Sequence, residues 1–399
     1  MSTKTISGTP SWLGRQNERT ALALLLEHGV LTRNRLGALS GLSKPTAGQI
    51  VSRLESIGLI EVVGEVSAGR GPNAASYGVR ADRVLGVAIE IDETTIRSTV
   101  VDATGAEHPV VETPIDADPV QDLGAGAAVD DHSAASDIRR AIGSACAAAH
   151  ANMDAVRVVS IGVQGAIDPR SDELSFIDTL PEWPRHGIRA HLEAALGRQV
   201  LIDNDVNLAA IAERSEGAGA GSSSFALLWM GEGLGLATDL DGKVQRGAGG
   251  GAGEIGYLPV PQSASAIDPR ATDLQQLVGG EKVIEIAKAN GMTGSPRDIV
   301  RDLADHPARE AVLTAIAPRV AVGVVPVLAI LDPELIVLGG PIGSAGGELL
   351  AELVGAELAR TTPWRPGVTR SSVLEFPVLR GAREVLVHQV RQRLFSELG

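Results

Sequence analysis

Apolar positions in the first eighty residues recur at helical spacing. Leu22, Leu25 and Leu26 form one stripe, and Leu36 with Leu39 a second. Ala47, Ile50, Val51 and Leu54 form a third, at i, i+3, i+4 and i+7. Thr32 and Ser43 stand before the second and third stripes, where a side-chain oxygen can cap the free N–H groups of a helix start. Pro45 falls in the first turn, where its missing N–H costs nothing, and Gly58 closes the pattern. Residues 59–63 and 76–79 read as two strands around the loop Ser67-Ala68-Gly69-Arg70-Gly71-Pro72-Asn73.

Three short helices, a Gly41 turn between the second and third, and a hairpin make a winged helix-turn-helix over residues 15–80. The third stripe leaves Lys44, Thr46, Gln49 and Arg53 on the opposite face, with donors and acceptors suited to base edges or phosphates of double-stranded DNA. Arg70, at the tip of a glycine-rich wing, suits a narrow minor groove. A three-helix bundle with ordinary solvated polar side chains is the alternative.

Beyond residue 80 the texture becomes strand-rich. Runs at 84–91 and 96–101 flank a polar turn, and 156–163 reads as a buried strand ending in Gly162-Val163-Gln164-Gly165. Helices are expected at 136–151, 186–196 and 206–213, with a strand at 199–202. A second cycle follows. Strands at 225–230 and 236–239 surround Gly231-Glu232-Gly233-Leu234-Gly235, helices lie near 280–290 and 308–331, and a strand at 335–338 precedes a helix at 348–359. Alternating strands and helices with glycine-rich turns indicate an α/β body, and the turn that recurs once per half indicates a duplication with a cleft between lobes at about 82–216 and 217–399. The stretch 116–135 is of low complexity and reads as a surface insertion.

Charge sharpens this division. The chain has 399 residues and a net charge of -14. Residues 1–80 carry nine basic and five acidic side chains, a surplus of +4 against -18 for the remainder. A basic head on an acidic body fits a head that meets a polyanion and a body that does not. The single cysteine, Cys146, excludes an internal disulfide and multi-cysteine metal sites. The eight histidines form no metal-binding pair, so no metal and no cofactor are expected. No apolar run approaches the ~20 residues that span a bilayer, and the N-terminus lacks a signal-peptide core. The expected location is the cytoplasm, with no membrane partner.

The body resembles the ROK family of repressors and sugar kinases. The resemblance rests on Ile161–Gly165, Leu180-Pro181-Glu182-Trp183, Asp203-Asn204-Asp205-Val206-Asn207-Leu208-Ala209-Ala210, Gly251-Ala252-Gly253-Glu254-Ile255-Gly256 and Pro333-Glu334-Leu335-Ile336-Val337-Leu338-Gly339-Gly340, five segments in family order. It implies the actin-like ATPase fold of hexokinases. It also implies a sugar site in which Asn204, Asp205 and Glu254 meet sugar hydroxyls, with Asp205 at the family's catalytic-base position. An N-cap of the following helix is the other role open to Asp205. Two further sugar positions depart from the pattern: Thr179 stands where the family has Asn, and Tyr257 where it has a sugar- and zinc-binding His. The family's cysteine-rich zinc loop is replaced by residues 261–276, which hold neither Cys nor His.

The phosphate turns depart further. The family's first-turn glycine pair is Asp92-Glu93 here, and Glu232 stands where the second turn has Thr. A like-charge contact at 4 Å costs about 4 kcal/mol at an effective dielectric of 20. The expectation is a sugar-responsive transcriptional regulator, a repressor without catalytic residues, acting as a homodimer or dimer of dimers on an operator, with a small sugar as effector. An active sugar kinase with a regulatory head and a ligand-independent DNA-binding scaffold remain as alternatives.

Overall fold

A cap and a turn set the second and third helices of the head. The computed structural model describes residues 10–66, 74–92, 94–115, 134–175 and 185–399. Helix α1 is Pro10–His28, α2 Arg33–Ser40 and α3 Lys44–Ser56. Thr32 Oγ1 accepts from Arg35 N at 3.3 Å and Ser43 Oγ from Thr46 N at 3.4 Å, as the sequence pattern requires. Gly41 ends α2 at φ 70°, the left-handed region where a Cβ is strained. Leu22, Leu25, Leu36, Ala47, Ile50, Val51 and Leu54 are all buried. The hairpin strands β2 (Ile60–Val66) and β3 (Ala74–Val79) are longer than expected, and β1 (Leu31–Thr32) adds a third strand on β3. Two residues are too short to carry a periodicity, so β1 was invisible in the sequence.

The body holds two five-stranded sheets with one topology. The first contains β4 (Leu85–Ile91), β5 (Thr95–Val101), β6 (Val111–Pro114), β7 (Val156–Val163) and β10 (Gln199–Asn204), in the order β10-β7-β4-β5-β6. Between β7 and β10 lie a small ribbon of β8 (Ala166–Asp168) and β9 (Glu173–Ser175) and helix α5 (Ile188–Leu196). The second contains β11 (Ser224–Met230), β12 (Leu234–Leu240), β13 (Lys243–Val244), β14 (Leu335–Gly339) and β15 (Gly367–Arg370), in the order β13-β12-β11-β14-β15. In each sheet an antiparallel meander of three strands is extended by two parallel strands. Helix α4 (Ala134–Ala148) precedes the first parallel addition, and α10 (Arg309–Leu331) and α11 (Gly340–Thr361) provide the crossovers of the second sheet. The duplication expected from the recurring turn is therefore present strand for strand.

The terminal helices of the two repeats exchange partners. Helix α6 (Asp205–Glu216) follows β10 but packs against β12, whereas α12 (Pro377–Ser396) follows β15 but packs on β4, β5 and β7. The division at 216/217 accordingly needs correction. The last twenty or so residues of the second repeat belong in space to the first sheet, because α12 buries Val378, Leu379, Ala382, Leu386, Val390 and Leu394 there. Helices α6 and α12 also pack on each other, and Gly381 makes this possible. A Cβ at that position would lie 1.8 Å from the Leu208 carbonyl oxygen.

Two chain segments join the repeats, 217–223 and 371–376, and one carboxylate holds both. Glu213, 1% exposed, accepts from Ala218 N at 2.7 Å, from Val373 N at 3.2 Å and from the Ser371 hydroxyl. Three donors satisfy a charge that would otherwise be costly to bury. The head joins the body at the far end of α12. The Arg19 guanidinium lies 5.7 Å from the Phe395 ring centroid, and Arg83 pairs with Glu397 at 2.9 Å. Leu22 and Leu25 of α1 share one apolar cluster with Leu394 and Leu398. Among the described residues α10 is long and apolar enough to cross a membrane, but half of its apolar window is buried in the protein.

Candidate functional sites on the head and in the cleft

The exposed face of α3 divides into free and engaged side chains. Lys44 and Gln49 are exposed and pair with no described side chain. Thr46 Oγ1 lies 2.8 Å from Ser43 Oγ and is part of the cap. Arg53 is 58% exposed, yet its Nε sits 2.8 Å from Oε1 of Glu18, a side chain of α1 that is only 9% exposed. Arg53 thus ties α3 to α1 and keeps part of its guanidinium fork open to solvent. Nothing in the helical stripe revealed this, because Glu18 lies 35 positions upstream. Arg70 lies outside the described residues, as does Thr179.

The cleft residues gather at the start of α6. Asn204, and not Asp205, caps the helix. Its Oδ1 accepts from Asn207 N at 3.1 Å and its Nδ2 donates to Gly165 O at 3.1 Å. The capping alternative for Asp205 is therefore corrected, since Asp205 is the first helical residue and its Oδ1 takes the adjacent Val206 N–H, at 2.8 Å, rather than one two or three residues further on. Burial drives the Asp205 pKa from 3.8 to about 7, the Val206 N–H opposes this, and Glu90 and Glu254 add to the rise. Burial also raises Glu254, and it raises Glu90 against the opposing pull of Arg97. Three carboxylates therefore share the cleft, with Asp205 poised to gain or lose its proton near neutrality. A half-buried acid with lone pairs unclaimed by the protein can accept from hydroxyls of a polyol.

Sequence reasoning missed the pair that bridges the repeats here. Arg246, beyond β13, donates to Asp203 Oδ2 from Nη2 at 2.6 Å and from Nε at 2.9 Å. The other oxygen of Asp203 accepts from Asn204 N at 3.0 Å and Asn207 Nδ2 at 3.3 Å. Asp203 and Arg246 lie 43 positions apart, so neither spacing nor composition could join them. Tyr257 ends a short 3-10 turn and is 64% exposed.

The turns expected to repel phosphate differ from one another. Asp92 lies 3.9 Å from Arg97, which also holds Glu90 at 3.4 Å and Glu112 at 2.8 Å. Its charge is therefore partly compensated, and Glu93 lies outside the described residues. In the second turn the backbone is pinned. Gln275 Oε1 accepts from Leu234 N at 2.8 Å, and its Nε2 donates to the Glu232 carbonyl at 2.9 Å.

Known proteins align with this arrangement. The bifunctional enzyme NanE/NanK of Brucella suis is 31% identical over 208 residues, 51% of this chain and 38% of that enzyme. The chain spans less than two thirds of the length of several other curated relatives as well. The xylose repressor of Caldicellulosiruptor bescii is 22% identical over 366 residues, 86% of this chain and 88% of the repressor. Among solved structures, a ROK family transcriptional regulator, a homolog of the E. coli MLC protein, shares the fold with a TM-score of 0.66. The match covers 97% of this chain and 98% of that one at 17% identity. The family model described as the ROK family matches residues 128–389, more than half of the chain. With the duplicated actin-like α/β body in place around that match, the chain belongs to the ROK family.

Proposed function

We propose that this ROK protein is a sugar-responsive DNA-binding transcriptional regulator, a repressor that binds its sugar without phosphorylating it. The observation that carries the reading is the capped, basic three-helix head with its hairpin, joined through α12 to a body whose cleft presents Asp205. The likeness to a xylose repressor over 86% of the chain supports it. Lys44, Thr46, Gln49, Arg53 and Arg70 would face DNA, and Thr179, Asn204, Asp205, Glu254 and Tyr257 the sugar. Asn204 already spends one amide hydrogen on Gly165 and one lone pair on Asn207, so its contribution to a sugar is the remaining half of its amide.

Coupling follows from packing. Sugar bound at the first turn of α6 favours one setting of the repeats about the Glu213 pivot. Helix α12 packs on α6 and ends against α1, so it carries that setting to the head. In a homodimer the spacing of two heads must match half-sites about one helical turn, ~34 Å, or a multiple apart. A modest change in lobe angle then releases the operator.

One observation favours the kinase as the second reading. Arg97 offsets the Asp92 charge in the first turn, which weakens the electrostatic case against ATP. The test is ATP consumption over a panel of hexoses, pentoses and N-acetyl amino sugars, beside thermal shifts with the same panel. The regulator reading expects a shift without turnover, and turnover above background overturns it.

A further inference from the structure

A pocket of about 490 Å³ opens between α6 and the β12–β13 hairpin. Ile211 and Arg214, which line it from α6, stand well beyond Asp205, roughly 9 and 13 Å along the helix axis at 1.5 Å per residue. The pocket is therefore separate from the sugar cleft at the start of that helix. Ile211 and Val244 supply an apolar patch, and Arg214, Lys243, Gln245 and Arg246 the polar part. The volume suits a small organic molecule, since such sites begin at ~300 Å³.

The acid in the lining is masked. Asp239 is 1% exposed, pairs with Arg214 and accepts from Gly242 N at 2.9 Å. Asp241, in the hairpin turn, does not line the pocket. The donors on the hairpin are in surplus. Arg246 gives two N–H groups to Asp203 and a third to the Val244 carbonyl, which leaves the other two of a guanidinium's five. Gln245 gives one amide hydrogen to the Lys243 carbonyl at 2.8 Å and keeps the other. Lys243 is exposed and its ammonium pairs with no described side chain. Ammonium, amide and guanidinium thus gather beside an apolar patch. The bond to Asp203 fixes the guanidinium in advance, so little side-chain freedom is lost when an anion meets it.

We infer that this pocket is a second small-molecule site, for a small organic phosphate. The phosphate meets Lys243, Gln245 and Arg246, and the organic part lies on Ile211 and Val244. The free N–H groups suit the three terminal oxygens of a phosphate better than the two of a carboxylate.

The test is calorimetric titration of the full chain with phenyl phosphate, beside inorganic phosphate, benzoate and phenol. Phenyl phosphate should bind once per chain and at least tenfold more tightly than inorganic phosphate or benzoate, and phenol should not bind. Lys243→Glu and Gln245→Glu, both at exposed positions, should each weaken phenyl phosphate binding at least tenfold. Arg297→Glu, a charge reversal at an exposed cation of the other sheet's crossover region, should leave it unchanged. Unfolding midpoints measured alongside show that the variants are folded. No sugar and no DNA enter the measurement, so its failure is distinct from a failure of the regulator reading. The inference is overturned by the absence of saturable binding to wild type, by unchanged affinity in both hairpin variants, by an equal loss in Arg297→Glu, or by benzoate binding as tightly as phenyl phosphate.

Discussion

Helices α3 and α6 both start on a side-chain cap, Ser43 in one and Asn204 in the other, and both carry polar residues on which the functional reading rests. In α3 the cap and its partners lie within three residues, and Lys44 and Gln49 project into water. In α6 the cap reaches back to Gly165, the preceding Asp203 is held by Arg246 from the other repeat, and Asp205 is desolvated among carboxylates. The difference is one of coupling. A solvated recognition face can change its side chains at little cost to folding, so it can be read as a list of donors and acceptors. A half-buried cleft cannot, because each polar group there is balanced against a distant one.

The largest effect that separates the two helices is expected at Asp205. Asp205→Asn should lower sugar affinity by roughly a hundredfold, the scale of removing a charged acceptor of two hydrogen bonds. In wild type, affinity should fall about tenfold per unit below pH 7, as the carboxylate takes up its proton. Stability should move the opposite way. A folded-state pKa raised from 3.8 to about 7 means that the native chain holds the proton better than the unfolded chain does. The associated stabilisation is complete below pH ~4 and is lost as pH rises through 7. Asp205→Asn removes this dependence, so the variant should gain stability relative to wild type between pH 4 and 8, by up to about 4 kcal/mol. Calorimetric sugar binding and denaturant unfolding across pH check both signs.

Arg246→Ala comes next. It leaves the Asp203 carboxylate with amide donors alone and opens the bridge between the repeats. Because Arg246 is 44% exposed, solvent screening holds the expected loss to about 1 kcal/mol. Sugar affinity should fall with it, since the bridge flanks the start of α6. An equal loss of stability with no change in sugar affinity would mean that the bridge is merely structural.

On the head, Ser43→Ala should cost about 1 kcal/mol through loss of the α3 cap. Unfolding midpoints would show it, and DNA affinity should follow stability. Gln49→Ala should be the mildest for folding, within about 0.5 kcal/mol, while relaxing base preference at one operator position by about 1–3 kcal/mol. Equal loss of affinity on all duplexes would instead make Gln49 a backbone contact.

The same contrast explains what the sequence disclosed. Stripes, caps and turns are local, so α3 with Ser43, Pro45 and Leu54 and the strand 156–163 could be read residue by residue. The duplication was legible as a recurring turn, and the structure adds that its strand order repeats in full. What escaped depends on contacts far apart in the chain. Asp203 finds Arg246 across 43 positions, Glu213 gathers the two segments that join the repeats, and α12, unassigned from the sequence, crosses to the first sheet. The sequence offered Asp205 as the cap of α6, and the bonds of Asn204 to the Gly165 carbonyl and the Asn207 N–H instead put Asn204 in that role.

The most direct test of the account is the affinity of the full chain for the duplex it selects from a randomised pool, measured with and without the sugar giving the largest thermal shift. The account predicts enrichment of an inverted repeat with half-sites a whole number of helical turns apart, and at least a tenfold change in affinity on adding sugar, about 1.4 kcal/mol of coupling. Selection of no duplex over random DNA, or an operator affinity indifferent to every sugar that binds, would contradict it.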